Sequence, residues 1–120
     1  MFLERLSRIT ERVVGVRALA LVDGDGICVE SVSSDETLDL ELLGAELVTQ
    51  VRTMDDHDRE LELGGVQQLS VTTDRLVLMM SAVAGSSFYL LLVLDPDGNY
   101  GRARFELRRA RLLLEEDLRP

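Results

Sequence analysis

The spacing of apolar positions changes period several times along the chain, and each change marks an element. Around "ERLSRITERV", Leu3, Leu6, Ile9 and Val13 recur every three or four residues, which predicts an amphipathic helix. "VRALALV" (16–22) and "GICVESV" (26–32) are β-prone runs flanking "DGDG", a tight hairpin in which glycine supplies the positive φ. The longest helical pattern runs from Leu38 to about Met54. Leu40, Leu43, Leu47, Val48, Val51 and Met54 share one face of it with Gly44. The opposite row, Leu38, Leu42, Ala45 and Thr49, carries little charge beyond Glu46 and Arg52. A helix covered on one side only shows more, so this one is expected to be covered twice.

Three strands follow, "GGVQQLSVTT" (64–73), "RLVLMMSAVA" (75–84) and "SSFYLLLVLD" (86–95), joined by turns short enough for antiparallel neighbours. In the second, Leu76, Leu78, Met80 and Ala82 oppose Val77, Met79 and Val83. In the third, Phe88, Leu90, Leu92 and Leu94 oppose Tyr89, Leu91 and Val93. Strands apolar on both faces need helices on both sides of the sheet. The first strand is half polar, with Gln67, Gln68, Ser70 and Thr72, as suits an edge. Helical period returns in "GRARFELRRARLLLEEDL", with Ala103, Leu107, Ala110 and Leu114 as its core stripe. The expected fold is α+β, an α/β sandwich in the order α-β-β-α-β-β-β-α. A five-stranded antiparallel sheet has one long helix on one face and the two terminal helices on the other.

Composition narrows the function. The chain has 120 residues, 46% hydrophobic and 29% charged, and no Pro- or Gly-rich linker, so residues 1–120 are expected to form a single domain. A net charge of −9 argues against a phosphate-backbone binder, so no nucleic-acid partner is expected. No apolar run reaches the ~18 residues of a membrane span, and the charged N-terminus is no secretion signal. Neither membrane insertion nor export is expected, which leaves the cytoplasm. Cys28 is the only cysteine, which excludes an internal disulfide and a Cys-based zinc site. Inside a strand it reads as a small buried hydrophobe.

Candidate chemistry is sparse. "DPDGNYGRARFE" (95–106) spaces Asp95, Asp97, Asn99 and Glu106 almost as a calcium loop does. Its sixth position is Tyr100 rather than glycine, however, and a strand leads into it. It reads better as a turn: Pro96 sets φ, Gly98 permits the exit and Asn99 caps the last helix. "DDHD" (55–58) surrounds the one histidine with carboxylates, but at a helix C-terminus it reads as a solvated loop. Ser86 and Ser87 lack a nucleophile motif, and no glycine loop is built to cradle a nucleotide phosphate. The chain is expected to be no enzyme and to hold no cofactor or metal. The arginines of the last helix suit either solvent or an acidic partner.

The element order, the opening "ITERVVGVRALALVDGDGICVES" and the later "DRLVLMMSAVA" and "FYLLLVLDPDGNYGRARFELRRA" resemble the Roadblock family. That family is named for a dynein light chain and includes bacterial MglB-type regulators. The likeness runs from about Leu3 to Leu114 and rests on architecture and the hairpin, since the family has no catalytic signature. It implies a homodimer in which the third strands pair across a two-fold axis and the long helices lie side by side. The half-polar strand, with Gln67, Gln68, Leu69, Ser70 and Val71, and the outward row of Leu38, Leu42, Ala45 and Thr49 supply the expected dimer interface. The resemblance also implies a small Ras-like GTPase as partner, for which Glu41, Glu46, Arg52 and Thr53 are the candidate contacts. No arginine matches a catalytic-finger motif, and since the sequence stops soon after the last helix, functions that a relative places in a C-terminal extension are not expected here. Two other readings stand beside this one. A profilin-, PAS- or GAF-like small-molecule sensor needs a cavity, and 4% aromatics with no Trp offer a flat ligand little. The other is a structural adaptor in a motor or kinase assembly.

Overall fold

The computed structural model describes residues 2–118, with side chains from residue 4 onward. Its elements are α1 (Phe2–Arg12), β1 (Val16–Val22), β2 (Cys28–Ser33), α2 (Leu40–Asp56), α3 (Asp58–Leu61), β3 (Gln68–Thr72), β4 (Val77–Ala82), β5 (Tyr89–Leu94) and α4 (Tyr100–Asp117). The expected order holds, with one short helix, α3, added after α2. The strands form one antiparallel sheet in the order β2-β1-β5-β4-β3, so the last strand returns to the middle. β3 is an edge, as its polar half suggests, and β2 is the other.

The two apolar faces of the sheet bury separately. On one, Leu6, Ile9 and Val13 of the α1 region join Ala103, Leu107, Ala110 and Leu114 of α4 over Leu19, Leu21, Met79, Leu90 and Leu92. The side chain of Leu3, on the same stripe by spacing, lies outside the described residues. On the other face, Leu47, Val48 and Val51 of α2 cover Ala18, Ala20, Leu78, Met80, Leu91 and Val93. α1 lies over β1 and β2, and α4 over β4 and β5. β3 projects beyond α4.

Four local expectations need correction. α2 starts at Leu40 because Asp39 is its N-cap, its Oδ1 accepting the Leu42 N–H at 3.0 Å. Leu38 therefore precedes the helix and packs half-buried against the core instead of standing in the outward row. Met54 is 43% exposed, since residues 52–57 are exposed all round and the end of α2 overhangs the sheet. "DDHD" is no free loop. Asp55 and Asp56 close α2, Asp58 opens α3, and Asp55 Oδ1 accepts the Val66 N–H at 2.9 Å, steering the chain towards β3. Cys28 is half-buried at the start of β2 rather than in the core.

Candidate functional site

β3 has two different sets of backbone groups. The Thr73 N–H donates to the Leu76 carbonyl at 2.8 Å and the Ala82 N–H to the Gln67 carbonyl at 2.9 Å. With Leu69 opposite Met80 and Val71 opposite Leu78, the alternation of an antiparallel ladder turns the odd-numbered residues towards β4. The N–H and C=O groups of Gln68, Ser70 and Thr72 therefore point out from the sheet edge. Gln67 itself lies one residue before the strand and contributes through its carbonyl. Leu69 and Val71 pack half-buried against the α2-side core, while Gln68, Ser70 and Thr72 are exposed.

α2 covers the same sheet face as Leu69 and Val71, and its outward row faces solvent. Leu42 is 66% exposed, and Ala45 and Thr49 are exposed with it. The Thr49 hydroxyl donates to the Ala45 carbonyl at 2.8 Å and the Thr53 hydroxyl to the Thr49 carbonyl at 2.9 Å. Both polar groups are thus satisfied within the helix, and the row stays apolar towards solvent. Glu41 and Glu46 are exposed, and Glu46 accepts a hydrogen bond from the Gln50 amide at 3.2 Å. Arg52 is engaged within the chain: it donates to the Gly24 carbonyl in the β1–β2 turn, with Asp25 at 3.4 Å. That turn sits flush on the helix. Gly26 has φ +84°, and a Cβ there would lie 2.8 Å from the Ala45 Cα.

Three arrangements escape sequence reading. Arg17 donates to Asp95 and lies 3.3 Å from Asp35, so the first aspartate of the calcium-like loop is held by a guanidinium. In the same loop Asn99 caps α4 as its sequence position predicts, accepting the Arg102 N–H at 3.0 Å. Hydrogen bonds from the Thr37 hydroxyl and then its backbone N–H, with Arg17 a smaller contribution, hold the Asp35 carboxyl below its usual range. Glu106 is 1% exposed, within 2.9 Å of Arg102 and 3.6 Å of Arg12 and Arg109. Its spacing from Arg102 and Arg109 was a signal for ion pairing, but nothing in the sequence marked it as buried. An open groove of about 560 Å³ runs between β2 and the start of α2, lined by Cys28, Glu30, Glu36, Asp39 and Glu41. Burial pushes the Cys28 thiol up, and the Glu41 charge adds to this against a hydrogen bond with Ser31. The groove is open, and acidic side chains share its lining with Val29, Leu38 and Leu40, unlike the enclosed apolar pocket a sensor of flat ligands uses.

Among the described residues no helix is long and apolar enough to cross a membrane, and no cluster of three or more His, Cys, Asp or Glu side chains is placed to hold a metal. No protein-family model matches the sequence, and no curated protein matches it. Solved structures do. A Roadblock/LC7 domain from Streptomyces avermitilis has a TM-score of 0.85 at 17% identity, over 97% of this chain and 96% of that one. Myxococcus xanthus MglB has a TM-score of 0.85 at 19% identity, over 97% and 93% of the two chains. MglC from Myxococcus xanthus is 30% identical over 98% of this chain and 100% of its own, with a TM-score of 0.71.

Proposed function

This chain belongs to the Roadblock/LC7 family, and from that premise we propose that it is a non-catalytic homodimer that binds a small Ras-like GTPase and modulates its nucleotide state. The observation that carries the reading is the pairing of two incomplete surfaces. The outward N–H and C=O groups of Gln68, Ser70 and Thr72 form an unfilled strand edge. Leu42 and Thr49, with Ala45 beside the seated β1–β2 turn, form a solvent-exposed row on α2. Antiparallel pairing of β3 with its two-fold mate satisfies the first and brings the second copy's α2 alongside. A solved MglB is described as having a tetrameric arrangement, which supports self-association as the working mode of such a chain.

Glu41, Glu46 and Thr53 flank that row and stay available to a partner once the helices pair. Arg52 contributes by seating the β1–β2 turn beside them. A Ras-like GTPase orders its switch segments only around a bound γ-phosphate, so a rigid pair of helices is expected to prefer the GTP form. The chain brings no catalytic-finger motif, and its effect on hydrolysis or exchange works through holding the switches.

Titration calorimetry against a purified Ras-like GTPase from the same genome, loaded with GDP or a GTP analogue, tests the reading. Light scattering of the free protein accompanies it. A dimer that binds the GTP-analogue form more tightly supports it. A dimer that binds neither form leaves the structural adaptor, and a monomer removes the reading altogether.

A further inference from the structure

α4 carries two arginine rows. Arg102 and Arg109 turn towards α1 and are occupied by Glu106. Arg104, Arg108 and Arg111 recur at i, i+4 and i+7 and turn the other way, towards β3. They wall a groove of about 220 Å³ floored by Gln67, Gln68 and Ser81. Arg111 has Glu115 at 3.9 Å and a buried Nε without a hydrogen-bond partner. Among the described residues neither Arg104 nor Arg108 pairs with a carboxylate. On a chain of net charge −9, this is a concentrated positive strip. It lies on the sheet face opposite α2, away from the proposed GTPase contacts.

We infer that this groove docks an acidic helical segment of a partner protein. The fit to a helix rests on the homodimer proposed above. α4 lies over β4 and β5, so pairing of the β3 edges sets the two α4 axes about four strand spacings apart, roughly 19 Å. One further helix between them sits about 9–10 Å from each axis, the ordinary distance between packed helices. Its floor is the polar Gln68, Ser70 and Thr72 of both chains, and its walls are six arginines, three from each protomer. Arginine pairs with carboxylates bidentately, so a Glu-rich helix matches the walls in charge and geometry. A duplex of about 20 Å is too wide for the trough, and the chain's net charge repels it at a distance.

The probe is a fluorescein-labelled, Glu-rich helical peptide of about 18 residues, or ~27 Å of helix. Its binding is followed by anisotropy beside a DNA duplex of equal charge and phosphatidylserine vesicles. Binding to the peptide at one per dimer is expected. It should weaken about tenfold or more in Arg104→Ala/Arg108→Ala and with rising salt, but not in the Arg59→Ala control on α3. Circular dichroism and light scattering establish that each variant is folded and dimeric. No peptide binding by a dimer, or binding indifferent to the double substitution, overturns the inference while leaving the dimer standing. Tighter binding of DNA or vesicles, lost in the same variant, assigns the strip to a different polyanion and also overturns it. A monomer that still binds through Arg104 and Arg108 keeps the groove and overturns the homodimer.

Discussion

Arg52 of α2 donates a hydrogen bond to the carbonyl of Gly24, joining the outward face of the long helix to the β1–β2 turn. The turn's own amides are held by Asp23, whose Oδ1 accepts from Asp25 at 2.9 Å and Ile27 at 3.0 Å. Arg52 is the clasp that presses this unit onto Ala45. Arg52→Ala is therefore expected to speed amide exchange of residues 25–27 several-fold. Because the guanidinium is half-exposed, global stability should change by only about 0.5 kcal/mol. Exchange rates equal to wild type would show that the turn is seated without it.

Glu46 is the cleaner probe of the partner surface, because among the described residues its side chain bonds to the Gln50 amide alone. Glu46→Arg should leave the fold and the dimer intact and weaken GTPase binding by several kcal/mol through like-charge contact. Calorimetry reads the binding, and undiminished affinity would move the site off this face of α2.

The edge of β3 separates folding from assembly. Ser70 aims its N–H outward, so Ser70→Pro removes a donor that the protomer does not use. Leu69→Pro or Val71→Pro instead removes a donor to β4. Ser70→Pro is expected to yield a folded monomer with unchanged circular dichroism, and the other two a destabilised chain. A Ser70→Pro protein that still scatters as a dimer would place the interface elsewhere.

Glu106 is a buried carboxylate gathered by Arg12, Arg102 and Arg109, which couple α1 to α4. Glu106→Gln leaves three guanidiniums without their counter-charge. Since these are half-exposed, the expected loss is about 1–3 kcal/mol, below that of a fully buried pair. For a domain of this size that lowers Tm by several degrees. Thermal unfolding within about 0.5 kcal/mol of wild type would assign the cluster to solvent.

Cys28 should be a poor nucleophile. Its thiol is raised above the ordinary value of 9.0, chiefly by burial, and the thiolate is the reactive form. Iodoacetamide at pH 8 should alkylate it more slowly than a free cysteine peptide, as followed by mass spectrometry. The sign for stability follows. The unfolded chain loses this proton first, so the buried thiol's contribution is complete below pH 9.0 and is lost as pH rises through the raised value. Equal alkylation rates would show a freely solvated thiol.

Periodicity by itself determined the layers. A strand such as β4, with Leu78 and Met80 opposing Val77 and Met79, must be covered on both sides, and local patterns supplied the three helices to cover it. The Asn99 cap and the positive φ of Gly26 were equally local, since each is set by a few neighbouring residues. What only the tertiary structure decided depends on residues far apart in the chain. Met54 satisfies the apolar stripe but faces solvent, because the length of α2 exceeds the sheet beneath it. Leu38 continues the outward row numerically, yet the Asp39 cap ends the helix before reaching it. Arg52 reads in sequence as a partner contact, yet the folded hairpin engages it, and Glu106, the last position of the calcium-like spacing, is buried where α1 meets α4. The arginines of α4 formed one run in sequence. Only their placement between α1 and the β3 edge divides them into a row that is neutralised and a row that faces an open groove.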